Sequence, residues 1–178
     1  MTITHSSSTN EWATPLDLFR EIDREFDFGL DVAAAEWNAK CNRYLTKHDN
    51  ALSCDWSTRC EEGRAIWCNP PYGRETGHFV AKAYHTAFPR GASQPRAVVC
   101  LVFSRTDTSW WSRFAMKASE IRFIRGRVHF TREDGKTGPS TAASCLLIFD
   151  PRQRAGPSVR CFKPRGAKGQ ESLKLEDQ

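Results

Sequence analysis

The chain predicts an α/β fold built on one open sheet, and three observations carry that expectation. Amphipathic helical stretches alternate with short apolar runs along most of its length. One of those runs, Ala65-Ile66-Trp67-Cys68, leads straight into Asn69-Pro70-Pro71-Tyr72, with Gly73 turning the chain where the strand should end. At 178 residues, 39% hydrophobic and 26% charged, the chain can bury one good core.

Taken in order, the elements start with a helix. Thr14 suits its N-cap and Pro15 its first position, Asp17 favours the first turn, and Leu16, Phe19, Ile22 and Phe26 recur at spacings of three and four. Phe28 to Val32 reads as a strand running into Ala33-Ala34-Ala35, whose small side chains allow close approach of a ligand. Arg43 to Leu45 is a candidate second strand and Ala65 to Cys68 a third. Thr76 to Phe88 forms a helix with Phe79, Val80, Ala83, Tyr84 and Ala87 on one face, ended by Pro89 and Gly91. Ala97 to Phe103 is the most strand-like segment, followed by a helix over Thr108 to Lys117 in which Trp110 and Trp111 serve packing. Glu120 to Ile124, Arg127 to Phe130 and Ser144 to Phe149 supply further strands, the first two expected to pair around Arg125-Gly126. Asp134-Gly135 opens a polar loop that Gly138-Pro139 continues. Residues 1–11 are expected to be flexible, 12–162 to form the domain, and 163–178, rich in Gly, Lys, Gln and Glu, to be a disordered tail.

Composition narrows the function. No apolar run approaches the ~20 residues of a membrane span, and Met1 to Asn10 has no apolar stretch of a signal peptide, so a cytoplasmic protein is expected. Seven cysteines without a Cys-x-x-Cys pair read as reduced thiols, several of them buried, and Cys41, His48, Cys54 and Cys60 match no zinc-ligand spacing, so no metal is expected. Charge is divided unevenly. Residues 1–89 carry 9 Lys and Arg against 13 Asp and Glu, whereas residues 90–168 carry 16 against 5, a net +11. Arg105, Arg113, Lys117, Arg122, Arg125, Arg127, Arg132 and Lys136 are interleaved there with Trp110, Trp111, Phe123 and Phe130, a composition suited to a polyanion with bases to stack.

The Asn69–Tyr72 loop is the candidate chemical centre. Its prolines have fixed φ and no N–H, so it presents an amide side chain and carbonyl oxygens from a stiff frame. Such a frame suits an amine: one hydrogen to Asn69 Oδ1, the other to the Pro70 carbonyl, with the Tyr72 ring as a stacking surface.

Together, Trp12-Ala13-Thr14-Pro15, Leu30-Asp31-Val32-Ala33-Ala34, Asn38-Ala39-Lys40-Cys41, Asp49, Ala51-Leu52, Asp55-Trp56, Trp67 to Tyr72, Ser104 to Thr108 and Trp110-Trp111 resemble the small phage-type DNA adenine-N6 methyltransferases, over roughly residues 11–150. The resemblance implies a Rossmann-like class I methyltransferase fold with a mixed central sheet of about seven strands flanked by helices. It also implies S-adenosylmethionine as methyl donor, adenine in double-stranded DNA as acceptor, and a GATC target. Asn69, Pro70, Pro71 and Tyr72 become the catalytic residues. Trp12, Thr14 and Pro15 match the element beside the methionine part of the cofactor, and Asp31 the carboxylate for its ammonium, with Ala33 and Ala34 leaving room. Asp49 is a candidate for the ribose region and Asp55 for the cofactor's adenine amine. The glycine-rich turn that many methyltransferases carry after the first strand is replaced here by alanines. Expected DNA contacts are Arg74, Arg105, Arg127, Arg132 and Lys136, with base reading assigned to the loops Gly73 to His78 and Arg132 to Thr141. A monomer or weak dimer in a phage- or prophage-bearing bacterial host completes the expectation.

Overall fold

The computed structural model describes residues 12–153 and 156–165. The segment 1–11 and nearly all of the expected tail lie outside the described residues. Helix α1 (Leu16–Phe26) precedes β1 (Phe28–Asp31); then come α2 (Trp56–Arg59), β2 (Ala65–Cys68), α3 (Thr76–Ala87), β3 (Val98–Phe103), α4 (Ser109–Arg113), β4 (Glu120–Ile124), β5 (His129–Thr131), β6 (Thr137–Pro139), β7 (Ser144–Phe149) and β8 (Ser158–Phe162).

Six strands form the central sheet in the order β1-β2-β3-β7-β4-β8, and β5 and β6 form a separate hairpin. Strands β1, β2 and β3 run parallel, β7 is antiparallel to both β3 and β4, and β8 is parallel to β4. The sheet is therefore mixed and α/β, with six strands in place of the expected seven.

Burial on both faces explains why β1, β2, β3 and β7 read as unbroken apolar runs. Alternate residues feed two cores. Leu30, Ile66, Cys68, Val98 and Cys100 face Val80 and Ala83 of α3 and Trp111 of α4. Phe28, Ala65, Trp67, Val99 and Leu101 face Leu18, Phe19 and Ile22 of α1. Gly77 lets α3 and α4 meet, because a Cβ there would lie 2.9 Å from Trp110 Cδ1. Trp110 and Trp111 thus pack helix against helix and core, as their sequence context suggests.

Several local expectations need correction. Thr14 is not the N-cap of α1; Pro15 stands there, with ψ of 135°, and no side chain caps the helix. Arg43 to Leu45 is reduced to one parallel bridge, Asp31 to Tyr44, although its backbone exchanges hydrogen bonds with Asp31. The helix expected over Thr108 to Lys117 ends at Arg113 and resumes as a 3₁₀ turn over Ala115–Lys117. β4 and β5 do not pair: β7 and β8 occupy both edges of β4, and β5 pairs with β6. Gly138 and Pro139, expected in a loop, lie in β6. Strand β8 was not foreseen.

One buried ionic network fixes α1 to the far half of the sheet. The Arg122 guanidinium, 2% exposed, donates to both carboxylate oxygens of Glu25 at 2.6 and 2.5 Å and to Glu120 at 2.8 Å, while Arg160 of β8 pairs with Glu120. Two carboxylates and the Phe26 ring, 5.5 Å from the guanidinium carbon, compensate the desolvated charge.

Candidate active site

Three parallel strands end on one side of the sheet, and the chain segments leaving β1 and β2 form a cleft there. This is where open α/β sheets place their ligands. The cleft encloses about 580 Å³, within the ~300–1,000 Å³ of small-molecule sites. Its lining includes Val32, Ala33 and Ala34 after β1, Pro71 and Tyr72 after β2, and Thr46, Asn50, Leu52 and Phe79, with Trp12 and Arg74; the expected catalytic residues Asn69, half-buried, and Pro70, buried, are not part of that lining.

The Asn69–Tyr72 loop is wired on every side. Asn69 Nδ2 donates to the Trp12 carbonyl at 2.7 Å, and Tyr72 Oη donates to Asn69 Oδ1 at 3.0 Å. Those two bonds fix the amide's orientation, since a flipped Asn69 would set its oxygen against the Trp12 carbonyl. The Tyr72 ring stacks on Phe103, centroids 4.0 Å apart and planes 7° from parallel, and meets Phe130 edge-on at 5.6 Å. Burial, then the neighbouring Cys145 and Cys68, pushes the Tyr72 phenol well above its ordinary pKa, so it remains a neutral donor. An Asn69 oxygen that accepts one bond from Tyr72 keeps a second lone pair for a substrate.

Trp12 joins this loop to the basic half of the chain. Ala13 exchanges backbone hydrogen bonds with Thr131 of β5 at 2.8 and 3.1 Å, and the Arg132 guanidinium carbon lies 5.7 Å from the Trp12 ring centroid. The β5–β6 hairpin, turned at Gly135 with φ of 78°, therefore starts beside the cleft rim. Lys136 extends from it into solvent with Asp134 at 3.4 Å, Arg74 is exposed at the cleft, Arg105 is exposed two residues beyond Phe103, and Arg127 is exposed ahead of β5.

The carboxylates occupy other positions. Asp31, 3% exposed, accepts hydrogen bonds from the backbone N–H groups of Ala33 at 3.3 Å and Lys40 at 3.1 Å, so it stands behind the alanine wall and holds it. Burial raises its pKa to about 6 against the opposing pull of those two bonds and of the Lys40 charge, while burial lowers Lys40. Asp49 caps its own 3₁₀ turn through Thr46 N and Oγ1 at 2.8 and 2.7 Å, which lowers its pKa. Asp55 caps α2 by accepting from Ser57 N at 2.9 Å. Of the expected cofactor residues, the fold thus brings Trp12, Ala33 and Ala34 into the cleft wall and sets Asp31, Asp49 and Asp55 behind or beside it. Thr14, next to that wall in sequence, is 4% exposed and its hydroxyl oxygen has no partner among the described residues. Thr46, Asn50 and Phe79 escape a reading by motif. Their place in the cleft depends on the long-range bridge at Tyr44, and Phe79 looks like any other apolar residue of the α3 face.

A mixed sheet whose second strand ends in a clamped Asn-Pro-Pro-Tyr loop beside a small-residue wall defines the amino-methyltransferase class. The chain belongs to the DNA N-6-adenine-methyltransferase (Dam) family, whose model matches residues 1–169. It is 30% identical over 158 residues to the DNA N-6-adenine-methyltransferase of Haemophilus phage HP1 (strain HP1c1), an alignment covering 86% of each chain. It is also 26% identical over 114 residues to the DNA N-6-adenine-methyltransferase of Escherichia phage T1, covering 64% of this chain and 44% of that one. Among the described residues no helix is long and apolar enough to cross a membrane, and no cluster of three His, Cys, Asp or Glu side chains could hold a metal ion.

Proposed function

We propose that this protein methylates the N6 amine of an adenine turned out of double-stranded DNA, with S-adenosylmethionine as donor and GATC as target, in the cytoplasm of a bacterial host. The observation that carries the reading is the clamped Asn69–Tyr72 loop, whose Pro71 and Tyr72 line a cleft together with Val32, Ala33 and Ala34.

The residues present fit the donor. Ala33 and Ala34 leave the backbone accessible, the buried Thr14 hydroxyl, two residues from Trp12, has no hydrogen-bond partner among the described residues, and Thr46, Asn50 and Phe79 offer polar groups and an apolar surface for a nucleoside. When bound, the sulfonium supplies an electrophilic methyl group. Asp31 serves it by fixing the Ala33 backbone, Trp12 and Ala34 by shaping the wall, and Asp49 and Asp55 by holding the turns that flank Asn50 to Leu52.

Adenine's amine is a weak nucleophile because its lone pair is delocalised into the ring, and a duplex hides it, so extrusion costs roughly a few kcal/mol. Stacking on the Tyr72 face opposite Phe103 offsets part of that cost. Asn69 Oδ1 and the Pro70 carbonyl accept the two amine hydrogens, which favours a pyramidal nitrogen and stabilises the positive charge it gains as the N–C bond forms. Asn69 cannot take a proton, so the proton leaves to water after methylation. Arg74, Arg105, Arg127, Arg132 and Lys136 contact the DNA backbone and base edges around the cleft.

A tritiated methyl-transfer assay on unmethylated duplex DNA, RNA and protein, followed by mapping of the modified base, tests the reading. Label in N6-methyladenine of duplex DNA is expected. Label confined to RNA or protein would replace the substrate, and no label in the presence of unaltered DNA binding would make the chain a DNA-binding relative without the chemistry.

A further inference from the structure

The geometry points to Thr76 as a positioning residue for Tyr72. It is the first residue of α3, 6% exposed, and its hydroxyl makes two bonds into the preceding loop: Oγ1 donates to the Pro71 carbonyl at 2.9 Å and accepts from the Gly73 N–H at 3.1 Å. Those two groups are not arbitrary. The Pro71 carbonyl belongs to the peptide unit that enters Tyr72, and the Gly73 N–H to the unit that leaves it. One hydroxyl therefore pins both peptide planes flanking the Tyr72 Cα, and with them the direction in which its side chain departs.

The rest of the loop cannot do this by itself. The prolines fix φ at 70 and 71 and supply no N–H, so nothing in them fixes the plane between Tyr72 and Gly73. Gly73 has φ of 129°, in the region that glycine visits freely and that another residue would adopt only under strain, so the turn after Tyr72 has little stiffness of its own. Glu75, at the N-cap of α3, makes no side-chain cap bond. Thr76 is the side chain that ties the loop to a helix packed in the core through Phe79, Val80 and Ala83. Its bonds leave Asn69 Oδ1 and the Pro70 carbonyl free for the substrate.

This inference rests on Tyr72 being the platform for the extruded adenine. Thr76→Val keeps the volume and removes both bonds. With duplex DNA and S-adenosylmethionine, kcat is expected to fall about 10- to 100-fold, the scale on which small misplacements act, while the KM for S-adenosylmethionine stays within about threefold; Thr76→Ser should restore most of kcat. A Thr76→Val enzyme with wild-type kcat, or a Thr76→Ser enzyme no better than Thr76→Val, would overturn the assignment. Should Thr76→Val fail to fold, amide hydrogen exchange in the unaltered protein decides instead: a protected Gly73 N–H supports the assignment and an unprotected one overturns it. Tyr72→Ala separates the two levels. If that variant keeps its activity, the platform reading itself fails; if it is inactive while Thr76→Val is not, only the role of Thr76 is lost.

Discussion

Neutralising Asp31 should change how the protein's stability responds to pH. The carboxyl lies at the end of β1, 3% exposed, with its oxygens on the Ala33 and Lys40 amides, and its pKa stands at about 6 against the ordinary 3.8 because burial outweighs those bonds and the Lys40 charge. A folded-state pKa above the unfolded value means that the native state binds the proton more tightly, so ionisation destabilises. Stability should therefore fall as pH rises from about 4 through about 6 and level off above that. The shift is worth about 3 kcal/mol in all, of which about 2 kcal/mol falls between pH ~4.5 and ~7.5. Asp31→Asn does not titrate. It sets an N–H₂ against one backbone donor, so it will be less stable at low pH by about one hydrogen bond, ~1 kcal/mol or more. The informative quantity is the difference between the two proteins, measured by urea unfolding across that pH range. Asp31→Asn should gain about 2 kcal/mol on the wild type as pH rises. A flat difference would show that burial is fully offset by the Ala33 and Lys40 bonds and the Lys40 charge, and wild type gaining on the variant would show that they outweigh it; either would refute the raised pKa.

Other outcomes follow from the same geometry. Asn69→Ala should lower kcat by orders of magnitude and leave the Kd for S-adenosylmethionine nearly unchanged, whereas Asn69→Asp, which keeps an acceptor, should retain appreciable turnover; calorimetry that finds cofactor binding lost in Asn69→Ala would contradict the role. Arg122→Met leaves Glu120 with Arg160 and Glu25 half-exposed to solvent, so no buried charge is stranded and it should destabilise by only about 1 kcal/mol, with activity per folded molecule intact; a loss of ~3 kcal/mol or more in chemical denaturation would show that the network contributes far more than this geometry implies. DNA binding should weaken steeply with salt, and replacing both Arg132 and Lys136 by Ala should reduce the slope of log Kd against log salt by about 1 to 2. An unchanged slope would move the DNA away from the β5–β6 hairpin.

What could be read before folding, and what could not, follows from which residues carry the signal. Ala65 to Cys68 and Val98 to Phe103 are legible because a strand buried on both faces must be apolar throughout. Strand β8 is not, because its side chains are mostly exposed and backbone pairing to β4 is what holds it there. The expected β4–β5 pairing is excluded for a topological reason: neighbours in sequence cannot pair when both edges of one strand are taken by β7 and β8, and edge occupancy is a property of the whole sheet. At the site, Asn69 to Tyr72 stands out in sequence because Pro-Pro directly after a buried apolar run makes a stiff, donor-poor loop, and the fold sets that loop at the end of β2. The acidic residues carry less signal, since a carboxylate that caps Thr46 or Ser57 looks in sequence like one that faces a ligand. Asp31 illustrates the gap best: its place at the end of β1 follows from the apolar run, but whether it points into the cleft or behind the alanines depends on a bond to Lys40, nine residues on.

On the proposed function, the wiring of the loop accounts for chemistry and recognition being placed on different kinds of structure. Asn69 is held through its amide by the half-buried Trp12 and Tyr72, and Tyr72 is held by Phe103, the buried Phe130 and the turn that the buried Thr76 ties down. A group that must stabilise charge appearing only during methyl transfer gains from being fixed beforehand, since no reorganisation is then needed at that moment. Contact with a polyanion makes the opposite demand. Arg74, Arg105, Arg127 and Lys136 are exposed, and an exposed cation can follow the DNA backbone as it is deformed around an extruded base. Trp12 belongs to both: its carbonyl orients Asn69, its ring faces Arg132, and Ala13 beside it is bonded to Thr131. On the proposed reading, displacement of the hairpin by DNA would reach the Asn69 amide through the Thr131–Ala13 bonds, the Trp12–Ala13 peptide and the Trp12 carbonyl, so recognition and chemistry would be mechanically joined.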